Sequence, residues 1–355
     1  MTKYLDLDAH RPKRGRKLKR WLVPLAILLV LGGGLLAFSR TPFVQSLLAP
    51  VSFFAQLLEP TKLVEVDGRV NVLVLGLDTR TDGFSGLTDT ILVGSISILE
   101  GDPALISIPR DFMVKIPNRV KITTVYNYGG IKKDGKFDIQ KGVDFSKSKI
   151  EEVLGIKIPY WVVVNFEGFK EIIDTLGGIS VTVDTAFKDC AYPTPNYGYK
   201  CISFKKVTQV MNGEKALEFA RSRHGTALGD FDRARRQQKV IVAVKEKVMS
   251  LDLLLNPSKL SKLYQQITTA VRTNASFGEI KRALEVGAKL GEIPQIKSLV
   301  LDPDSGLVYH PDNSLYGIGY VIVPKEGETY YTKIQAAVQK LFFGTNSGAD
   351  SGGKP

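Results

Sequence analysis

From Asn71 onward, apolar and polar positions fall into short runs with the punctuation of a sheet. "NVLVLGL" (71–77), "TILVGSISI" (90–98) and "ALISIP" (104–109) are rich in Val, Ile and Leu and are separated by Gly, Asp and Pro, which predicts three successive strands. "YWVVVNF" (160–166) predicts a buried strand, "EGFKEIIDTLGG" (167–178) a helix stopped by glycine, and "ISVTV" (179–183) a further strand. "GEKALEFAR" (213–221) has helical spacing, and a long helix is expected to follow from Asp232, as its N-cap, through "RARRQQKVIVAVKEKVMS". The expected fold class is α/β, a three-layer α/β/α arrangement around a mixed central sheet, with its domain at residues 70–255. Residues 256–342 carry helical and strand-like pieces that either extend that domain or form a small appendage, and 343–355 have the composition of a disordered tail.

Before Asn71 the pattern is different. "WLVPLAILLVLGGGLLAFS", Trp21 to Ser39, runs nineteen residues without a charge; at about 1.5 Å per residue a helix of that length nearly crosses a bilayer's hydrocarbon core. Residues 1–20 hold eight Lys/Arg against two Asp, half of the chain's formal net charge of +12. That basic block reads as a topology signal rather than a nucleic-acid surface, because Lys/Arg ahead of an apolar span keep the N-terminus cytoplasmic and send the downstream chain across. The apolar run is longer than the core of a secretory signal, and no small-x-small cleavage site stands near "AFSRTP". An uncleaved single-pass anchor is therefore expected, with residues 40–69 as a stalk and the domain outside the membrane.

The rest of the composition, 44% apolar and 24% charged, is that of an ordinary globular protein. Its two cysteines, Cys190 and Cys201, lie in "CAYPTPNYGYKC", a stretch that reads as a loop; in an extracytoplasmic compartment they are expected to pair. His10, His224 and His310 do not cluster, which argues against a His/Cys metal site. There is no Walker-type phosphate loop, no HExxH and no GxSxG.

If the first three strands form an antiparallel meander with "EGDP" (100–103) as a turn, the end of the first, the start of the second and the end of the third share one sheet edge. Those ends carry Asp78, Asp89 and the pair Arg110 and Asp111. Either aspartate alone is an ordinary turn residue. Together on one rim they suit Mg²⁺ (or Mn²⁺), a hard ion that takes one or two carboxylates plus waters and substrate phosphates.

"RSRHGTALGDFDRARRQQ" (221–238) packs five arginines and two aspartates into eighteen positions. Val240, Val244 and Val248 form the apolar stripe of the following helix, and the same spacing run backward reaches Gln237 and Arg233, so the stripe turns polar at its mouth. Arg221 and Arg223 project the same way if the chain leaves its helix extended. Arg235 falls on the solvated side, and Arg236 is ambiguous. Guanidinium forks pair with phosphate oxygens and keep their charge, so several turned inward at a helix N-terminus make a pyrophosphate site. The competing account is a surface salt-bridge web with Asp230 and Asp232, but a solvated face would not place Arg233 and Gln237 in a core-facing stripe.

"VLVLGLDTR", "TDTILVGSIS", "SIPRDFMV", "VVVNFEGFKEIIDTLGGISVTV", "MNGEKALEFARSRH" and "GDFDRARRQQ" occur in the order and approximate spacing of the LytR-CpsA-Psr domain. Over about residues 71–245 the chain resembles that family of bacterial cell-wall glycopolymer ligases. The resemblance implies an α/β/α fold on one N-terminal anchor and a phosphotransferase working outside the membrane. It implies a polyprenyl-pyrophosphate-linked glycan as donor, its tail in an apolar tunnel and its pyrophosphate among arginines with Mg²⁺, and peptidoglycan or another wall polymer as acceptor. Asp78 and Asp89 match the family's metal and catalytic acids, Arg110 its "PRD" arginine, Arg221 and Arg223 its arginine pair, and Asp230, Arg233 and Gln237 its "GDxxR" and following glutamine.

By that resemblance Asp89, Arg110 and Arg223 stand at the reacting phosphate. Asp89 is the candidate base, although an acid that binds metal is a poor one. One position departs from the pattern: many members carry an arginine two residues before the acid matched by Asp89, where this chain has Leu87. Either Arg80 substitutes for it or the pyrophosphate grip is weaker. Two other classes stay open, a hydrolase that passes the same lipid pyrophosphate to water and a non-catalytic, membrane-anchored envelope regulator. About twenty cytoplasmic residues are too few for a DNA-reading domain, and no nucleic-acid partner is expected.

Overall fold

Strict alternation builds the central strand. β1 (Arg69–Asp78) buries Leu73, Leu75 and Leu77 completely on one face and turns Val72, Val74 and Gly76 to the other. β2 (Leu87–Ser97) and β3 (Pro103–Ser107) follow antiparallel, the meander expected from the sequence. β4 (Met113–Ile116) and β5 (Asn118–Lys121) form a small separate hairpin that leads to α1 (Val125–Gly130) and α2 (Ile139–Leu154). β6 (Tyr160–Asn165) returns parallel to β1 and runs straight into α3 (Phe166–Thr175).

Next come β7 (Ile179–Thr182), β8 (Phe187–Pro193), β9 (Tyr199–Phe204) and β10 (Thr208–Met211), paired β7 with β10 and β8 with β9. The "ISVTV" stretch is thus a strand, though of a two-stranded ribbon and not of the main sheet. α4 (Gly213–Arg221), α5 (Asp230–Ser250), α6 (Pro257–Ala270), β11 (Val271–Thr273), α7 (Phe277–Lys289) and β12 (Lys297–Val300) follow, then a short antiparallel pair, Val308–Tyr309 with Val323–Pro324, and α8 (Thr332–Phe343). The six-stranded sheet has the order β11-β6-β1-β2-β3-β12. It is mixed: β11 joins β6 antiparallel and β12 joins β3 parallel. Both edges therefore come from the stretch after residue 256.

This computed structural model describes residues 61–344 except 80–83, 85, 100–101, 195–197, 227–228, 252–256, 290–295 and 313. The expected basic tail, the apolar span at 21–39, most of the stalk, Arg80 and residues 345–355 lie outside the described residues. Among the described residues no helix is long and apolar enough to cross a membrane.

Helices cover both faces of the sheet. On the leucine face, Val143, Ile150 and Val153 of α2 and Ile334, Val338 and Phe342 of α8 join Leu73, Leu75 and Leu77 in one core. On the other face α3, α4 and α5 stand over Val74, Gly76 and Leu92 and enclose a cavity with them. The protein is α/β with a mixed central sheet, as the pattern predicts.

Two local expectations are corrected. α5 starts at Asp230 after Gly229, whose φ of 51° lets the chain turn into the helix two residues before Asp232. Asp232 sits inside the first turn, 3.4 Å from Arg235, and is not the cap. The cysteine-bearing stretch is a strand pair instead of a loop: Phe187, Asp189 and, past a shift in register, Tyr192 are buried, and Cys190 on β8 is disulfide-bonded to Cys201 on β9.

Candidate active site

β1 and β2 lose register once. Gly76 faces Thr90 while Leu77 faces Thr88, which leaves Asp89 as the extra residue of a β-bulge. An unbroken strand would send Asp89 and Thr90 to opposite faces; the bulge turns both to the cavity. Gly76 makes room, since a Cβ there would stand 2.8 Å from the Thr90 Cβ.

The re-aimed Asp89 meets two arginines from distant segments. Arg110 Nη1 donates to its Oδ1 at 2.6 Å, Arg233 Nη1 stands 3.7 Å from its Oδ2, and Arg233 Nη2 donates to its carbonyl at 3.3 Å. At the end of β1, Asp78 faces Arg221 Nη2 at 3.4 Å. The Arg221 guanidinium lies 4.2 Å from the Phe166 ring centroid and 5.7 Å from that of Tyr192, so two aromatic faces hold its plane. The structure thus assembles Asp78, Asp89, Arg110, Arg221 and Arg233 at one end of the sheet.

The remaining candidates divide. Gln237 is half-buried on the cavity wall and donates to the Ala220 carbonyl at 3.4 Å. Arg223 is exposed and is not among the described residues lining the cavity. Asp230 opens α5, but its side chain lies outside the described set, as does Arg80. Leu87 is exposed and pairs across the strands with Asp78, so no guanidinium reaches the rim from that position. Arg235 does not line the cavity; it is half-buried and pairs at 2.7 Å with the buried Asp302. The ambiguous Arg236 is buried, where it donates to the Phe219 carbonyl at 3.0 Å and to that of Ser222, tying α5 to the end of α4. Asp111 turns to Lys121 at 2.7 Å.

Behind the rim lies a cavity of about 250 Å³. Along α5 its lining changes from Arg233 and Gln237 to Val240, Ile241 and Val244, roughly three helical turns. Val162, Val164, Phe169, Ile172 and Leu217 supply most of the opposite walls. An apolar chamber with charge confined to one end fits an amphiphile with an anionic head.

Sequence reasoning missed Phe166, Tyr192 and Asp189. Phe166 reads as the end of a strand, and nothing in the sequence sets it under an arginine. Asp189 is buried and accepts from the Ser222 hydroxyl at 2.7 Å. Burial opposes its ionisation, but the Ser222 hydroxyl and the backbone N–H groups of Ala191, His224 and Arg223 outweigh that and hold its carboxyl below the ordinary 3.8.

The family model LytR_cpsA_psr matches residues 52–329. A protein of Oceanobacillus iheyensis called polyisoprenyl-teichoic acid–peptidoglycan teichoic acid transferase TagU is 30% identical over 281 residues, 77% of this chain and 82% of that protein. The protein of the same name from Enterococcus faecalis is 31% identical over 235 residues, 63% of this chain and 68% of that protein. The crystal structure of Bacillus subtilis TagV superposes with a TM-score of 0.59 at 25% identity, covering 78% of this chain and 98% of that one.

Proposed function

Because the chain belongs to the LytR_cpsA_psr family, we propose that it is a phosphotransferase moving a phosphorylated glycopolymer from a polyprenyl-pyrophosphate carrier to a cell-wall acceptor such as peptidoglycan. One observation carries this reading: the apolar cavity whose mouth is formed by Asp89, Arg221 and Arg233. The prenyl tail lies between the sheet and α3 to α5, and the pyrophosphate meets Arg110, Arg221 and Arg233, with Arg223 and Gln237 beside them. The names of the relatives make a teichoic acid the first polymer to test.

The acceptor hydroxyl attacks the phosphorus that carries the glycan, the bond from that phosphorus to the bridging oxygen breaks, and polyprenyl phosphate leaves. Asp89 takes the hydroxyl proton, and the guanidinium groups spread the charge of the phosphoryl oxygens. Among the described residues no cluster of three or more His, Cys, Asp or Glu forms a metal site. Two carboxylates at a phosphate-binding mouth nevertheless match what Mg²⁺ asks of a protein. Asp78 and Asp89 would hold Mg²⁺ (or Mn²⁺), which when bound neutralises phosphate charge. We place the domain outside the membrane on the span at 21–39 as a single-pass anchor, and the Cys190–Cys201 disulfide supports an oxidising compartment.

The test is incubation with a synthetic polyprenyl-pyrophosphate-linked glycan, with and without peptidoglycan fragments. Prenyl phosphate release that depends on the acceptor, with glycan recovered on it, is the expected result. Equal release without acceptor makes the protein a hydrolase. No release and no lipid binding overturns the reading.

A further inference from the structure

Ser222 leaves α4 extended, with φ −55° and ψ 140°, and its buried hydroxyl donates to Asp189 Oδ2 at 2.7 Å. The backbone N–H groups of Arg223 and His224 donate to the same oxygen, both at 3.3 Å. The other carboxylate oxygen accepts from Ala191 N at 2.9 Å. Four donors thus converge on one carboxylate. Ser222 is thereby held between Arg221, whose guanidinium meets Asp78, and Arg223, whose own backbone N–H donates to the same carboxylate.

The support beneath this segment is built for close approach. Gly225, at φ 82°, passes β8 so tightly that a Cβ would stand 2.1 Å from the Lys188 carbonyl. The β8–β9 ladder is irregular between Asp189 and Tyr192, and the Cys190–Cys201 disulfide closes the hairpin within that gap. The covalent link stands where backbone pairing lapses, one residue from the carboxylate.

We propose that Asp189, framed by the disulfide-closed hairpin, is a positioning residue that presents Arg221 and Arg223 to a lipid-linked pyrophosphate. This rests on the pyrophosphate reading above. A purely structural Asp189 would affect any occupant of the cavity alike, whereas a positioning Asp189 affects the charged head and spares the tail.

The experiment is calorimetric titration of the full chain in detergent with farnesyl pyrophosphate and, separately, farnesol. Asp189→Ala is expected to bind the pyrophosphate roughly tenfold more weakly with farnesol affinity unchanged. Asp189→Asn should lose about threefold, because an amide offers one acceptor oxygen and sets its NH₂ against one of the donors. Ser222→Ala removes a single donor and should also lose about threefold in pyrophosphate affinity with farnesol affinity unchanged, which decides the matter if Asp189→Ala does not fold. Equal loss of both ligands overturns the proposal. So does wild-type pyrophosphate affinity in Asp189→Ala and Ser222→Ala while Arg221→Ala is weakened, and that result leaves the pyrophosphate reading intact. If wild type and Arg221→Ala bind both probes equally, the pyrophosphate reading fails and takes this proposal with it.

Discussion

At the start of β1, Arg69 is fully occupied by the protein. Nε donates to Ser95 Oγ at 2.8 Å, Nη1 to Asp102 Oδ1 at 2.8 Å and to the Phe342 carbonyl at 3.0 Å, and Nη2 to the Asp102 carbonyl at 2.7 Å. Its guanidinium also lies 4.5 Å from the Phe342 ring centroid. At the other end of the same strand, Asp78 and Arg221 stand 3.4 Å apart, with side chains 29% and 18% exposed against 2% for Arg69. One arginine–aspartate group is a closed knot and the other sits at the mouth of a cavity. The difference teaches how to read arginine: residue type is the same at both ends, and what separates the closed knot from the pair open to a cavity is how many oxygens the fold itself supplies at close range.

Breaking the knot gives the largest expected effect. Arg69→Ala leaves Ser95 Oγ and the buried Phe342 carbonyl without their partner and Asp102 with Lys297 alone, and should cost about 3 to 5 kcal/mol in urea unfolding. Arg221→Ala should do the reverse, lowering glycan transfer by about 100-fold while shifting stability by less than about 1 kcal/mol. If Arg221→Ala unfolds the protein and Arg69→Ala does not, the comparison is inverted. Gly76→Ala sharpens it at the bulge: the new methyl meets Thr90, so an overpacking cost of about 1 to 3 kcal/mol is expected, with transfer falling further than stability because Asp89 shifts.

The smallest effect is in pH. Burial opposes ionisation of Asp102, and hydrogen bonds from Lys297 and Arg69 overcome it, holding the carboxyl below its ordinary 3.8. A depressed carboxyl stabilises the fold above its unfolded value and loses that contribution as pH falls through its folded value. The melting temperature of wild type should therefore fall from roughly pH 5 downward, and more shallowly in Asp102→Asn.

Much of this was legible because it derives from periodicity. The alternation of Leu73, Leu75 and Leu77 gives a strand, the meander brings Asp78, Asp89 and Arg110 to one edge, and the stripe through Val240 and Val244 leads back to Gln237 and Arg233. What was not legible depends on pairing between distant segments. The bulge that turns Asp89 toward the cavity is a property of two strands in register, and a single strand's pattern carries no trace of it. Asp189 accepts from the Ser222 hydroxyl and the backbone N–H groups of Arg223 and His224, more than thirty positions away, so no local spacing marks it. Gly229 displaced the start of α5 from Asp232 because a favourable capping residue loses to a glycine that turns the chain earlier. Val271–Thr273 and Lys297–Val300 are too short to show a period.

Those two short strands have a consequence for how the molecule comes into being. β11 and β12 flank the whole sheet, yet a ribosome delivers them after every residue of the cavity wall. Until residue 273 emerges, the outer backbone of β6 has no neighbour, and until residue 300 does, neither has that of β3. A nascent polypeptide therefore carries two open flanks until residue 273 and one until residue 300, and a transcript cut just short of codon 297 leaves that second flank exposed for any passing strand.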